Sequence, residues 1–300
     1  MRRTLRGVGR LFDPKRGPYP ATVGSWERLP DTRAMLVANH SGGTVIPDAW
    51  GLLAAWYRHH DHRPLHVLGH DMLFATERTA RFLARRGVLR ARRDLARRVL
   101  ADHRKDLLVF PGGDRDTWRP FSARWKIDFH GRRGYARMAL ETGTPIVPVA
   151  HAGAHHTLIV LDDGNRIARR LGLPKHFRAH IFPVHLSFPF GLTVGPWPHL
   201  PPPTAMRYQL GHAVHPDAVG PDGPTHAQVE ALDIEVQAEL QRQLDVLRET
   251  SRAFLDRVAE TAQRVRGTVV RLTGRDLHAD EQERLARELR GRPVVAVAAK

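Results

Sequence analysis

Residues 34–48 read AMLVANHSGGTVIPD, and this stretch decides the fold. Its apolar half predicts a short buried strand that ends in the polar pair Asn39-His40. Two glycines then turn the chain, and Pro47 with Asp48 is typical of the first turn of a helix. A buried strand that passes through a glycine turn into a helix is characteristic of an α/β sheet.

The same succession recurs along the chain. DLLVFPGG at 106–113 reads as a strand ending in a glycine turn, and a helix at 132–143 leads into the apolar strand TPIVPVA at 144–150. We therefore expect an α/β fold with a mixed, largely parallel sheet flanked by helices. A capping box at 225–228 predicts a long helix, and a second helix is expected over about 252–265.

Three parts are expected from these patterns. Residues 1–30 form a basic, irregular segment, whose apolar side chains could face a membrane surface, although a frayed basic terminus would give the same pattern. Residues 31–221 form the main α/β domain, within which the proline- and aromatic-rich stretch 174–204 is expected to be irregular. Residues 222–300 form a helical C-terminal extension.

The composition narrows the class of protein. A chain of 300 residues with 42% hydrophobic and 26% charged residues is typical of a globular protein. The absence of cysteine excludes disulfides, cysteine nucleophiles and Cys-type zinc sites. A net charge of +16 favours polyanionic partners, namely nucleic acid, anionic lipid or the phosphates of coenzyme A. No apolar run reaches about eighteen residues, so no transmembrane helix is predicted.

A histidine–aspartate pair offers general-base chemistry. A neutral imidazole at His40 can take a proton from an alcohol near pH 7, and a carboxylate such as Asp48 can fix its tautomer. Without a cysteine or a G-x-S-x-G motif, direct transfer is simpler than a covalent intermediate. The residues alone also allow an ordinary turn histidine and a carboxylate at a helix start.

The second polar motif is FPGGDRD at 110–116. Its glycine pair, Gly112-Gly113, can expose backbone N–H groups, and Arg115 supplies a forked donor for a phosphate or a carbonyl oxygen. A β-turn with a solvated arginine is the alternative.

Together with TPIVPVA, these motifs give the chain a resemblance to the lysophospholipid, or glycerolipid, acyltransferases. The order and spacing of the three blocks agree with that family over roughly residues 30–215. The stretch 110–149 is most similar to the branch that includes diacylglycerol acyltransferase-like proteins, in which Pro-Gly-Gly replaces Pro-Glu-Gly. Each block alone is a weak signal, and the ordered set is a strong one.

The resemblance implies transfer of a fatty acyl group to a hydroxyl of a lysophospholipid, diacylglycerol or glycolipid. The acyl donor would be acyl-CoA or acyl carrier protein, and no metal or redox cofactor is needed. It implies catalytic roles for His40 and Asp48 and substrate-binding roles for Asn39, Gly112, Gly113, Arg115, Arg133 and Arg93. The expected partners are the acyl thioester, the lipid acceptor and an anionic membrane surface, without nucleic acid. The expected location is cytoplasmic, at the inner face of the membrane.

The chain departs from the family pattern at two positions. Seven residues separate His40 from Asp48, a longer spacing than usual, and Val45 stands where the family's aspartate would fall. Gly112 replaces the family's acceptor-site glutamate, which leaves Arg115 as the main anchor for an anionic group.

Other readings compete with catalysis. The basic helix at 90–105 could track nucleic acid, but it lacks interleaved aromatic residues. A catalytically silent protein that binds lipid or nucleic acid would need no role for His40. His66 and His70 have ligand-like spacing, yet they cross a strand-to-helix change, so no metal is expected. Apolar residues of the helix after Pro47 and of 181–198 could line an acyl groove, or simply pack in the core.

Overall fold

Strands from both halves of the chain meet in one central sheet. The computed structural model describes residues 9–60, 62–172 and 181–273. The strands found there form a seven-stranded and a three-stranded sheet. They are β1 (Ala21–Gly24), β2 (Met35–Ala38), β3 (Leu65–Gly69), β4 (Val88–Arg90), β5 (Asp106–Val109), β6 (Ile146–Ala152), β7 (Ile159–Asp162), β8 (Val184–Ser187), β9 (Gly191–Val194) and β10 (Met206–Leu210).

The larger sheet has the order β1-β10-β6-β2-β5-β3-β4. The neighbours from β6 to β4 run parallel, whereas β10 is antiparallel to β6. The predicted mixed, largely parallel sheet is therefore confirmed. The expectation that all of residues 1–30 would be irregular is wrong for β1, which pairs with β10 along the edge of the sheet. Pro18 and Pro20 precede this strand and leave its ladder intact.

The described residues also form α-helices. They are α1 (Pro47–His59), α2 (Glu77–Ala84), α3 (Arg93–Arg97), α4 (Gly113–Thr117), α5 (Gly134–Thr142), α6 (Asn165–Arg170) and α7 (His226–Thr273). A short π-helical turn, Arg98–Asp102, continues α3. Within the described ranges, no helix combines the length and the apolarity needed to cross a bilayer.

Each face of the sheet has its own apolar core. Leu36 and Leu108 belong to a cluster that includes residues of α1, such as Trp56. Their strand neighbours Met35 and Leu107 belong to a second cluster with residues of α5 and α7. Because successive side chains alternate between the faces, strands buried on both sides are apolar at nearly every position. This explains the apolar residues of β2 and of 107–109 in β5, whereas the buried Asp106 at the start of β5 is paired with Arg63.

The C-terminal helix differs from its prediction. It begins at His226 and runs without a break through 252–265, where a separate second helix was expected. The sequence of α7 contains no proline and only one glycine, so nothing in it stops the helix. Its first part is held by a buried stripe in the second core: Val229, Leu232, Val236, Leu240, Leu244 and Leu247.

The chain divides into two compact units, of which the first ends at Arg248 and the second begins at Glu249. The first unit contains both sheets and the start of α7, and the second contains the rest of that helix. Residues 1–8 and 274–300 of the predicted terminal segments lie outside the described residues.

Strands β8 and β9 of the smaller sheet lie within 174–204, so the expectation that this stretch would be irregular is wrong for them. Strands β7, β8 and β9 form an antiparallel meander, and its inner side packs on Trp118, Leu158 and Ile181. The prolines of this stretch lie between the strands, so they do not interrupt the ladders. Residues 173–180 of the same stretch lie outside the described residues.

Candidate active site

The carboxyl ends of β2, β5 and β6 lie side by side, because these three strands are parallel neighbours. Each strand leads into a polar segment at this edge. Asn39 and His40 follow β2, the Pro-Gly-Gly turn follows β5, and His151 lies near the end of β6. The topology therefore brings together motifs that are far apart in the sequence.

His40 and Asp48 form a close pair. The Nδ1 atom of His40 lies 2.6 Å from Oδ2 of Asp48, and the Asp48 side chain is almost fully buried. The same carboxylate oxygen accepts a hydrogen bond from the backbone N–H of Ser41 at 2.9 Å. The imidazole also stacks on Phe110, with ring centroids 4.3 Å apart.

A tight loop accommodates the long spacing between the two residues. The chain folds through a 3₁₀ turn, Gly43–Val45, with positive φ angles at Gly42, Gly43 and Ile46. This loop absorbs the additional residues and returns Asp48 to the first turn of α1. The helix N-terminus favours a carboxylate there. Tyr208 of β10 donates to the backbone oxygen of Asp48 at 2.7 Å and fixes the start of the helix.

The electrostatics of the pair favour a basic imidazole. Burial alone would lower the pKa of His40, but the charge of Asp48, its hydrogen bond and the nearby Asp116 outweigh burial and raise that pKa. Burial opposes ionisation of Asp48, yet its attraction to His40 and its hydrogen bonds keep the pKa of Asp48 below the usual value. The carboxylate holds a proton on Nδ1, which leaves Nε2 of the neutral ring as the acceptor.

Asn39 ties the ends of two strands together. Its side chain donates to the backbone oxygen of His151 at 2.9 Å and accepts from the N–H of the same residue at 2.8 Å. Its amide is thus engaged in positioning β2 against β6, which differs from the substrate contact expected for it. Burial lowers the pKa of His151 to about 4, so this second histidine stays neutral beside His40.

Asp116 is a central residue of the site that the sequence analysis did not assign. Its Oδ2 atom accepts the backbone N–H of His40 at 2.7 Å, and its other oxygen pairs with Arg119. Burial is the largest influence and raises the pKa of Asp116 despite these partners. A Cβ atom at Gly112 would lie 2.3 Å from that of Asp116. The glycine therefore leaves room for a carboxylate supplied one helical turn later.

Arg132, to which the sequence analysis gave no role, secures the Pro-Gly-Gly turn. It donates to the backbone oxygen of Gly112 and to the carboxylate of Asp114, each at 2.8 Å. The N–H of Gly113 donates to Phe110 within the turn, so in this structure it is not directed at a ligand.

The three predicted arginines have different surroundings. Arg133 is paired with Glu230 and Asp233 of α7, so an anion contact there would require an exchange of partners. Arg115 has a buried Nε atom with no hydrogen-bond partner in the structure. Arg93 is exposed at the start of α3. Ligand contacts by Arg115 and Arg93 stay predictions.

Within residues 9–60, 62–172 and 181–273, no cluster of three or more histidine, aspartate or glutamate side chains is arranged to hold a metal ion. The chemistry that this arrangement itself can perform is proton transfer by a carboxylate-supported histidine at the edge of a parallel sheet.

A family comparison agrees with this chemistry. Residues 21–152 match the family model described as Acyltransferase, a range that runs from β1 to the end of β6 and includes both His40 and Asp116.

Similar proteins are found in mycobacteria. An uncharacterized protein of Mycobacterium tuberculosis is 30% identical over 65% of this chain and 52% of its own length. One of Mycobacterium leprae is 31% identical over 66% of this chain and 51% of its own. The chain thus spans about half the length of these relatives. Among solved structures, it is similar to the 1-acyl-sn-glycerophosphate acyltransferase PlsC of Thermotoga maritima, with a TM-score of 0.44, 16% identity and 80% of each chain covered.

Proposed function

We propose that the protein transfers a fatty acyl group from an acyl thioester to a lipid hydroxyl, with His40 as the general base. The observation that carries this proposal is the 2.6 Å contact between His40 Nδ1 and Asp48 Oδ2. It leaves the other ring nitrogen, Nε2, without a hydrogen-bond partner in the described part of the chain. A base needs such a nitrogen to reach the proton of its substrate. The match of residues 21–152 to the acyltransferase family supports the same assignment.

The reaction needs one proton carrier. Nε2 of His40 takes the proton of the acceptor hydroxyl, and the hydroxyl oxygen attacks the carbonyl carbon of the thioester. The carbon–sulfur bond breaks, the departing thiolate receives the proton from His40, and an ester and a free thiol result. Asp48 stabilises the transient imidazolium, and Asp116 fixes the backbone at His40.

The developing oxyanion needs a donor near the Pro-Gly-Gly turn. The backbone N–H groups of Gly112 and Gly113 are the donors expected from the sequence. Only that of Gly112 remains in our proposal, because the N–H of Gly113 donates to the backbone oxygen of Phe110. Arg115 is the nearby cation in our proposal. Its buried Nε has no hydrogen-bond partner among the described residues, and a buried donor without a partner is costly. Bound ligand would satisfy it, either through the oxyanion or through an acceptor phosphate.

The donor in this proposal is acyl-CoA or acyl carrier protein, and the acceptor is a lysophospholipid, a diacylglycerol or a glycolipid. A chain of net charge +16 attracts the phosphates of either donor and the headgroups of anionic lipid. We propose a peripheral position at the inner face of the cytoplasmic membrane, where both substrates would meet the enzyme.

Acyl transfer from radiolabelled palmitoyl-CoA and palmitoyl-acyl carrier protein tests the proposal, with lysophosphatidate, diacylglycerol and a glycolipid as acceptors. We expect labelled product from the wild type and from His62→Ala, which removes an exposed histidine, but a loss of at least about 10²-fold in His40→Ala. Circular dichroism establishes that each variant is folded. A folded wild type without product, or equal rates in His40→Ala, would point to a catalytically silent binding protein.

A further inference from the structure

The smaller sheet presents apolar side chains on its outer side. Ile159, Leu186 and Leu192 are paired in one row across β7, β8 and β9, and all three are exposed. Val194 continues this surface on β9, and Phe188 and Phe190 occupy the connection between β8 and β9. We call these six residues the apolar sheet face.

This surface is unusual because the opposite side of the same sheet already has its core. Val160 and His185 point inward and are buried, and the His185 ring lies 5.0 Å from that of Trp118. An antiparallel sheet with one buried side normally places polar residues on the other side. Here Leu192 is 65% and Phe190 62% exposed. Contiguous apolar surface of this kind marks an interaction site.

Arginines outnumber acids around the apolar sheet face. The acids nearest to it in the sequence, Asp162 and Asp163 at the end of β7, accept backbone N–H bonds from Gly164 and Asn165. Helix α6, which follows β7, carries the exposed residues Arg166, Arg169 and Arg170 and no acid. The sequence contains no Asp or Glu between Asp163 and Asp217, although the chain has 31 acidic residues. An exposed tryptophan, Trp197, lies in the same stretch. Apolar and aromatic side chains beside arginines are the combination that binds at the interface of an anionic bilayer.

We propose that the apolar sheet face docks on an anionic membrane, with Phe188 and Phe190 inserted among the acyl chains and the arginines of α6 at the lipid headgroups. Exposed backbone groups of the short strands stay near the headgroups, where water can still satisfy them.

The location of this surface relates it to the candidate active site. The hydroxyl of Thr44, in the loop between His40 and Asp48, donates to the backbone oxygen of Pro196 just after β9 at 3.0 Å. Trp118 packs beneath the sheet and also lies beside Gly43 of that loop. Docking therefore holds the His40 loop close to the bilayer. This consequence rests on the proposed function, in which the acceptor is a membrane lipid.

Vesicle sedimentation of the full chain tests the docking without requiring turnover. We expect binding to vesicles of phosphatidylglycerol and phosphatidylcholine, and much weaker binding to phosphatidylcholine alone. Phe188→Ser/Phe190→Ser should weaken the binding at least about tenfold, since burial of one phenylalanine contributes roughly that factor or more. The matched control Ile234→Ser removes an equally exposed apolar residue, on α7, and should bind as the wild type does.

A second pair of variants tests the charges. Arg166→Gln/Arg169→Gln/Arg170→Gln should lose most of the preference for phosphatidylglycerol. Arg78→Gln/Arg85→Gln/Arg97→Gln removes the same net charge from exposed positions on α2, just after α2 and on α3. This variant should retain more of that preference. Equal losses in the two triple variants would show that only net charge matters and would overturn the assignment to α6.

Further outcomes distinguish a membrane from a second copy of the chain as the partner of the apolar sheet face. Unchanged vesicle binding in Phe188→Ser/Phe190→Ser would overturn the proposal. So would light scattering that shows a wild-type dimer and a monomeric double variant, because a second copy would then cover the face. His40→Ala should bind vesicles normally. If it does while the wild type transfers no acyl group, the docking stands and the proposed function fails.

Discussion

Replacing Gly112 with alanine probes how the Pro-Gly-Gly turn and His40 are connected. The new Cβ would lie 2.3 Å from Cβ, 2.6 Å from Cγ and 2.7 Å from Oδ2 of Asp116. Carbon atoms in contact are normally about 3.5–4.0 Å apart, so the turn must move by about an ångström. The backbone itself is compatible with alanine, because Gly112 has φ −62° and ψ −27°.

The displacement acts on the carboxylate that holds the His40 N–H at 2.7 Å. Overpacking of this kind costs about 1–3 kcal/mol of unfolding free energy. A misplacement of about 1 Å at a catalytic group can lower a rate by about 10²-fold. We therefore expect Gly112→Ala to be measurably less stable in urea denaturation and to lose about 10-fold to 10²-fold in acyl-transfer rate.

The matched control is Gly134→Ala in the first turn of α5, where a Cβ meets nothing within 4 Å. It should be neutral or stabilising by up to about 1 kcal/mol. A double-mutant cycle with Asp116→Gly, which removes Cβ, Cγ and the carboxylate oxygens of this residue, then isolates the contact. If Gly112→Ala lowers the unfolding free energy as much in the Asp116→Gly background as in the wild type, the steric explanation is refuted.

Three further substitutions test other parts of the structure. Asp48→Asn should lower the acyl-transfer rate by about 10²–10⁴-fold. It should also move the acidic limb of the pH–rate profile to lower pH, because the Asp48 carboxylate raises the pKa of His40. An acidic limb at the same pH as in the wild type would contradict the pairing of the two residues. His151 has a folded pKa of about 4 against 6.5, so the unfolded chain binds the proton first and stability falls as the pH drops from 6.5 to 4. His151→Gln should reduce this fall by about 3 kcal/mol in urea titrations at pH 7 and pH 4, whereas an identical pH dependence would count against a neutral buried histidine. Leu240→Ala should lower the free energy of unfolding by about 2–5 kcal/mol, since this side chain is fully buried. Ile234→Ala, on the exposed side of α7, should change it by no more than about 0.5 kcal/mol. Similar effects of the two substitutions would argue against the packing of this helix.

The sequence was sufficient for the central strands because their signals are local. Apolar runs at 34–38 and 107–110 contain most of β2 and β5, and glycine turns follow both. β1 has no such signal, since it is four residues long and is held by pairing with β10, far along the chain. Its existence depends on tertiary contacts that no local pattern records.

The candidate site was predictable in its residue types but not in its geometry. His40 and Asp48 were identified, yet only the backbone angles at Gly42 and Ile46 show that the longer loop can bring them together. The contacts of Arg132 with Gly112 and Asp114 join residues 18 to 20 positions apart, and no local pattern records them. The importance of Asp116 was hidden because it depends on burial and on a hydrogen bond to His40, 76 residues away in the sequence.

The hydrogen bonds around His40 also constrain when this site can form during synthesis. The aspartate that holds its backbone N–H is 76 residues further on. The tyrosine that fixes the start of α1 is 160 residues beyond Asp48. Because the chain is made from its N-terminus, His40 leaves the ribosome before the residues that form these contacts. Contacts between residues so distant in sequence also form slowly. A nascent chain that ends before β10 therefore lacks an ordered site, and an active-site signal would report completion of the fold.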